Sequence, residues 1–206
     1  MPEPLTSSEV NSQTDPSVAK QYDTTTPIPQ QLTDLYHITD ALSTCLLGTS
    51  RPNIGPVARS MAIAKRSGPD FLFLANTHSQ KFSDLSHSST VSITFQNSST
   101  QDWVSISGTA TKTDNKDPRI KEIYKPGVNA WFGDLGDGVH TGGPEDPRMA
   151  VIEVKTNYVV YWKSEVSMLG YAKEVVQAAV TGKVANTGAL RELKEAELEK
   201  ARQLGG

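Results

Sequence analysis

Residues 71–82 read FLFLANTHSQKF, so a short apolar run passes into polar residues and then reaches a basic one. The run Phe71–Ala75 is typical of a buried strand, and Ser79 then stands where a helix N-cap belongs. Lys81 falls in the first turn of that helix, where the dipole disfavours a cation unless an anion accompanies it. The stretch therefore predicts a strand, a turn and a helix N-terminus that suits a phosphate dianion. The alternative is an exposed lysine on a short helix.

The sequence on both sides of this stretch alternates as further strands. Strands are predicted at 44–49, 57–64, 71–75, 91–95 and 103–111, with one or two more at 149–162 and a bend at Asn157. Hairpin-length turns join most of them and few helices intervene, which indicates an antiparallel barrel and not a parallel sheet. We therefore expect a mainly β protein with flanking helices. Arg59, on the second of these strands, is either a second candidate cation for an anion site or a solvent-facing residue.

Four helices are predicted around and within the strands. Apolar residues at helical spacing mark 31–42, and helices are also expected at 79–86, 169–180 and 195–204. The segment 118–131 is a further interruption, broken at Pro126-Gly127. The last helix is dense in Glu, Lys and Arg, which predicts a solvated face.

The net charge of −3 lies within residues 1–31, because the rest of the 206-residue chain carries equal numbers of acidic and basic side chains. Proteins that bind nucleic acids neutralise phosphates with a basic excess, so this class is excluded. Residues 1–31 are rich in Ser, Thr, Pro and Gln and are expected to form a flexible tail. The apolar patch Val18–Tyr22 leaves the alternative of an arm that docks on a partner subunit.

Several other classes of protein are excluded by what the sequence lacks. No apolar run approaches the roughly 20 residues of a membrane-spanning helix. The one cysteine, Cys45, can form neither an intrachain disulfide nor a zinc site alone, and the four histidines are scattered, so no metal site is expected. The acidic, polar N-terminus resembles neither a signal peptide nor a transit peptide. These observations predict a cytoplasmic protein that binds no membrane.

The glycine-rich segment 133–143 resembles two ligand-binding loops only in composition. It lacks the lysine of a phosphate-binding loop and the closing glutamate of a calcium loop. We interpret it as a flexible surface excursion; the alternative is a lid over a pocket.

Four segments, in this order, resemble the FMN-binding split barrel of the pyridoxamine 5′-phosphate oxidase-like superfamily. They are Arg59-Ser60-Met61-Ala62, 71–76, Ser79-Gln80-Lys81 and 91–95. Residues 104–110 and 130–132 narrow the resemblance to the general stress protein branch. Within it, the blocks 16–23, 131–140 and 179–185 are most similar to the blue-light-induced proteins of filamentous fungi. The resemblance runs from about residue 16 to the C-terminus. No single motif is specific to the family, but the order and spacing of the motifs together are.

This resemblance implies a six-stranded split barrel that forms a homodimer with two FMN molecules at the subunit interface. Arg59 would reach the FMN phosphate, which the segment 79–81 would hold, and Trp131 would close the site from the other subunit. Where relatives carry a threonine this chain has Ala75, so Asn76 would supply the polar contact. The cofactor-binding residues implied are Arg59, Ser60, Met61, Ala75, Asn76, Ser79, Gln80, Lys81, Trp103 and Trp131.

The predicted organisation is a tail or arm at 1–31, an FMN-binding split-barrel domain at 32–164 and a C-terminal helical extension at 165–206. The predicted function is FMN binding of the general stress, blue-light-induced type, with redox activity left open. The alternatives are an FMN-dependent oxidoreductase acting on a small substrate and a dimeric module without cofactor. Oxidation of pyridoxamine phosphate is not expected, because residues 163–169, directly after Trp162, offer a single base for the substrate phosphate. Both the tail before Leu32 and the last helix are expected to be dispensable for flavin binding.

Overall fold

The computed structural model describes residues 15–204, which form one antiparallel sheet surrounded by helices. The strands are β1 Thr44–Arg51, β2 Gly55–Ala62, β3 Lys65–Ser67, β4 Asp70–Asn76, β5 Thr90–Gln96, β6 Trp103–Lys112, β7 Met149–Ser164 and β8 Gly188–Leu193. The helices are α1 Pro16–Gln21, α2 Ile28–Asp40, α3 Gln80–His87, α4 Arg119–Ile123, α5 Asn129–Phe132, α6 Met168–Thr181 and α7 Glu195–Leu204, with a 3₁₀ turn at Pro126–Val128. None of the helices within these residues has the length and apolar character needed to cross a membrane.

The sheet confirms the mainly β, antiparallel prediction, but it has more strands than predicted. The strand order is β2-β1-β5-β6-β7-β4-β3, and β8 also pairs with β7. The two additional strands are the short β3, which pairs with β4, and β8, which lies inside the segment predicted to be helical. Strand β3 has only three residues, and β8 is completed by pairing with a strand more than twenty residues away, so neither leaves much local signal in the sequence.

Strand β7 is the centre of the sheet because it pairs with β4, β6 and β8. The predicted bend at Asn157 is a bulge instead. Tyr158 pairs with Ser107 and Thr156 pairs with Gly108, which leaves Asn157 without a partner on β6. The backbones approach closely here, since a Cβ on Gly108 would lie 2.6 Å from the carbonyl oxygen of Lys155. A bulge keeps the strand continuous while it bends the sheet.

The N-terminal segment is more ordered than the prediction of a tail at 1–31 allows. Helix α2 begins at Ile28, because Pro29 falls in its first turn, where a missing N–H costs nothing, and its Leu35 is packed in the main core. Before it, Asp23 pairs with the buried Arg191 of β8 at 2.8 Å, and the Asp23 N–H donates to the carbonyl of Leu190. Residues 15–23 thus dock on the C-terminal segment of their own chain. Residues 1–14 lie outside the described residues.

The last helix is anchored in the core, which corrects the prediction of a merely solvated helix. Leu198 is fully buried in the main core, Ala201 is also buried, and Arg202 pairs with Asp70 of β4 at 2.7 Å. The density of charges in the sequence favours a solvated helix, but these two apolar positions anchor it. The expected dispensability of the helix for flavin binding stays a prediction.

We expect Leu198→Ala to lower the free energy of unfolding by about 2–4 kcal/mol, since it leaves a cavity in the core. Leu204→Ala is the matched control, because Leu204 is in the same helix but is 87 % exposed; its effect should stay within about 0.5 kcal/mol. Urea unfolding measures both variants. Equal stability of the two variants would show that α7 is not anchored through Leu198.

Candidate functional site

The alternation of β1 and β2 places three polar side chains at one end of the barrel interior. Thr49 and Arg51 continue the inward face of β1, and Arg59 of β2 lies on the same face because it pairs with Leu47. Helix α3 packs against β1 and directs the buried carboxylate of Asp84 toward them. Residues far apart in the sequence thus meet around one carboxylate.

Asp84 is fully buried and is bonded on every side by donors. Its carboxylate accepts the Thr49 hydroxyl at 2.8 Å, Arg51 Nε at 3.1 Å and Arg59 Nη2 at 2.9 Å. Burial alone would raise the pKa of Asp84, but the hydrogen bonds from Arg51, Thr49 and Gln80 outweigh it and hold the pKa well below its usual range. Asp84 is therefore ionised and fixes the positions of both guanidinium groups.

Lys81 adds a cation to this cluster without a counter-charge. Burial lowers the pKa of Lys81, and the positive charge of Arg59 lowers it further. Within residues 15–204 its ammonium group makes no ion pair or hydrogen bond. Arg51 and Arg59 pair with the one carboxylate of Asp84, and Lys81 lies near Arg59, so the three cations and the one carboxylate leave an excess of two positive charges. An anion is the group that would balance it.

The N-terminus of α3 offers hydrogen-bond donors beside this charge. Ser79 occupies the predicted N-cap position, but its hydroxyl donates to the carbonyl of Asn76 at 2.6 Å and does not cap the helix. The side chain of Asn76 accepts the His78 N–H at 2.8 Å, which shapes the turn. In the part of the chain that the structure describes, the N–H groups of Gln80 and Lys81 meet no acceptor. They are the donors expected of an anion site.

The other residues predicted for the cofactor site do not join this cluster. Ala75 is packed in the main core, and Met61 lies against it. Ser60 points to the outer face of β2, away from Arg59. Trp103 also lies on the outer face, and two strands, β1 and β5, separate it from β2. Within one chain, the predicted residues therefore divide between the two faces of the sheet.

The outer face of four neighbouring strands is neutral and has small side chains. It comprises the even-numbered residues 44–50, 56–62 and 90–96 and the odd-numbered residues 103–109, and none of them is charged. Charged residues make up 21 % of the chain, so about three of the sixteen positions would be charged at that frequency. The apolar Leu46 on this face is 49 % exposed. Such a face is typical of a surface that is covered by a partner.

Trp103 sits at the margin of this outer face beside a second tryptophan, which the sequence analysis did not single out. It pairs across the strands with Trp162 of β7. The indole of Trp162 lies against Gly188, where a Cβ would come within 2.7 Å of the ring. Both indoles line a cleft of about 400 Å³. The other residues that line it are Gln21, Gln101, Tyr171, Thr187 and Leu190.

Side-chain contacts hold the glycine-rich segment 133–143, which was predicted to be a flexible surface excursion. Arg148 pairs with the buried Asp146 at 2.7 Å and donates to the carbonyls of Phe132 and Gly133. The carbonyl of Arg148 accepts the Thr77 N–H, which connects the loop to the turn before α3. Trp131 belongs to α5 at the start of this loop and is 87 % exposed. Its own chain leaves the indole uncovered.

Sequence reasoning identified Arg59 and Lys81 but missed Arg51 and Asp84. Arg51 could have been found from the alternation of β1, because it follows Cys45, Leu47 and Thr49 on the inward face of that strand. No such pattern marks Asp84, since a single carboxylate in a short polar helix is expected to be exposed to solvent. Among residues 15–204 no group of acidic, histidine or cysteine side chains could hold a metal ion.

Comparison with known proteins agrees with the resemblance seen in the sequence. A family model described as pyridoxamine 5′-phosphate oxidase like matches residues 30–186. Protein bli-3 of Neurospora crassa is 40 % identical over 192 residues, which is 92 % of this chain and 91 % of that protein.

Solved structures show the same fold. General Stress Protein 26 from Bacillus anthracis has a TM-score of 0.55 at 17 % identity, over 64 % of this chain and 93 % of its own. A pyridoxamine 5′-phosphate oxidase-related, FMN binding protein from Nostoc punctiforme has a TM-score of 0.52 at 14 % identity, over 68 % of this chain and 85 % of its own. The predicted resemblance and the split-barrel fold class are confirmed.

The charge cluster predicts a specific pH dependence for Asp84→Asn. The pKa of Asp84 is lower in the folded chain than in the unfolded one, so its stabilising effect is present above about pH 4 and is lost as the pH falls further. The variant should be less stable by about 3 kcal/mol at pH 7, and the difference should narrow toward pH 3. Urea unfolding in phosphate-free buffers tests this. A difference that does not change with pH would contradict the assigned role.

Proposed function

Because the chain belongs to the pyridoxamine 5′-phosphate oxidase-like family, we propose that it is an FMN-binding protein of the general stress, blue-light-induced type that works as a homodimer. The observation that carries this proposal is the excess of two positive charges beside the unpaired N–H groups of α3. A phosphate monoester carries close to two negative charges at neutral pH and matches that excess. In FAD, the phosphate attached to riboflavin carries only one negative charge, so the cluster favours FMN over FAD.

The chain's own residues fit the phosphate in distinct ways. Lys81 would pair with it directly, because no carboxylate within residues 15–204 competes for its ammonium group. Arg59 is held by Asp84 and by the hydroxyl of Thr49 at 2.7 Å, so it is already oriented before a ligand arrives. The N–H groups of Gln80 and Lys81 would complete the shell. Preorganised donors lose little freedom on binding.

The ring system of the flavin needs an aromatic or apolar wall, which the phosphate end does not offer. The aromatic candidates are the half-buried Trp103 and Trp162 and the exposed Trp131, and the first two lie on the opposite face of the sheet from Arg59. One chain alone does not combine the two ends. The neutral outer face supports a second copy as the source of the ring wall, since such a face is suited to burial against another protein.

Bound FMN would supply electron or hydride transfer, and the protein would supply orientation and exclusion of water. The residues after Trp162 argue against a phosphorylated substrate. Lys163 is the only base among residues 163–169, and it pairs with Asp34 at 2.5 Å. The nearby Arg191 is also engaged, with Asp23 and Asp34. A second phosphate would therefore meet no available cation in this region of the described chain, which favours electron transfer to or from an unphosphorylated partner.

Lys81→Met should weaken FMN binding by about ten- to a hundred-fold, because a charge-assisted hydrogen bond contributes roughly 1.5–3 kcal/mol. Riboflavin has the same ring without the phosphate, and its affinity should not change. Since the pKa of Lys81 is lowered in the folded chain, its charged form is disfavoured there, and the variant without ligand should be as stable as the native protein or more stable. Fluorescence titration and thermal unfolding measure these effects.

Lys65→Met is the matched control for this prediction, because Lys65 is an exposed lysine on the short strand β3. It should leave both affinities as they are. If Lys81→Met lowers the affinities for FMN and for riboflavin equally, Lys81 does not bind the phosphate. Absorbance of the purified native protein in the flavin bands tests the cofactor itself.

A further inference from the structure

Helix α6 presents its apolar side to solvent. It connects β7 to β8, and within it Tyr171, Val175, Val176 and Val180 are 45 %, 41 %, 64 % and 82 % exposed. A surface helix normally turns such residues toward the core. Here the half-buried positions are Gly170, Glu174 and Ala178, and the carboxylate of Glu174 accepts the N–H of Asn186 at 3.4 Å. The side of the helix that faces its own chain is thus formed by small and polar residues, and residues 15–204 leave its larger apolar residues uncovered.

The exposed apolar residues form one continuous stripe. Positions 172, 175, 176, 179 and 180 are Ala, Val, Val, Ala and Val, and their spacing places them on one side of a helix. Lys173 borders the stripe, because it lies two helical turns before Val180, whereas Gln177 and Thr181 lie on a different side. Small β-branched and alanine side chains make a low, smooth ridge that packs closely against a flat surface. We call residues 172, 175, 176, 179 and 180 the valine stripe.

A second copy of the chain is the occupant that the surroundings of the stripe favour. Tyr171 of α6 lines the same cleft as Trp103 and Trp162, so the helix continues the margin of the neutral outer face. Neither the valine stripe nor the neutral outer face contains a charged residue, so neither needs a partner of opposite charge. Residues 1–14 are a poor alternative, since Leu5 and Val10 are the only large aliphatic residues among them.

We propose that α6 is a second element of the dimer contact, in which the valine stripe packs on the partner copy beside the partner's outer face. This proposal rests on the homodimer of the proposed function. It adds that the helix of one copy is held in place by the other copy and not by its own chain. The same packing would shield the cleft that Trp103 and Trp162 line from water.

The test compares two double variants of the full chain. Val176→Glu with Val180→Glu places two charges in the stripe, and Gln177→Glu with Thr181→Glu places the same charges one position further along, on the polar side. Sedimentation equilibrium should show a dimer dissociation constant raised at least roughly ten-fold for the first variant and unchanged for the second. Equal constants for both variants and the native chain would overturn the proposal and leave the dimer intact.

A second measurement needs no variant. Hydrogen exchange of the α6 amides in the native chain should slow as its concentration rises through the dimer dissociation constant, because association would hold the helix. Equally fast exchange below and above that concentration would overturn the proposal even if the variants failed to fold. A native chain that stays monomeric at every concentration would overturn both this proposal and the proposed homodimer. It would not decide whether the chain binds FMN, which the fluorescence titration measures separately.

Discussion

One buried carboxylate organises the end of the barrel that carries the candidate site. Asp84 comes from α3, and its partners Thr49, Arg51 and Arg59 come from β1 and β2, so a single charge connects a helix to two strands. It balances only part of the positive charge that it gathers. The remaining charge, with that of Lys81, destabilises the protein without ligand and would be the source of the affinity for a dianion that we propose. Stability and binding are therefore coupled at this point.

The strict alternation of the strands separates this charge from the aromatic residues. Arg59 and Ser60 are neighbours in the sequence, yet they lie on opposite faces of the sheet. The same rule puts Trp103 on the outer face and Val104 in the core. The residues that we propose for the phosphate and those that we propose for the flavin ring therefore do not meet within residues 15–204 of one copy. Association of two copies is the economical way to unite them, and the neutral outer face is consistent with that.

Local patterns in the sequence are sufficient for six of the eight strands described, for α3 and for the two cations Arg59 and Lys81. They fail where structure depends on distant partners. Strand β8 exists because it pairs with β7, and α7 is fixed by its buried Leu198 and Ala201. Asp84 is stabilised by arginines that lie more than twenty positions away in the sequence. The resemblance to a known family supplied the site residues, but only the structure divides them between two faces.

We propose that the flavin site is built from two copies, and subunit complementation tests this directly. Lys81→Met would impair the phosphate end and Trp103→Ala would impair the ring end. A heterodimer of these two variants, isolated with two different affinity tags, should then contain one site with both ends intact. We expect it to bind one FMN per dimer with native affinity, whereas each variant alone binds weakly. A heterodimer without a recovered site would contradict the two-copy site and place both ends within a single chain.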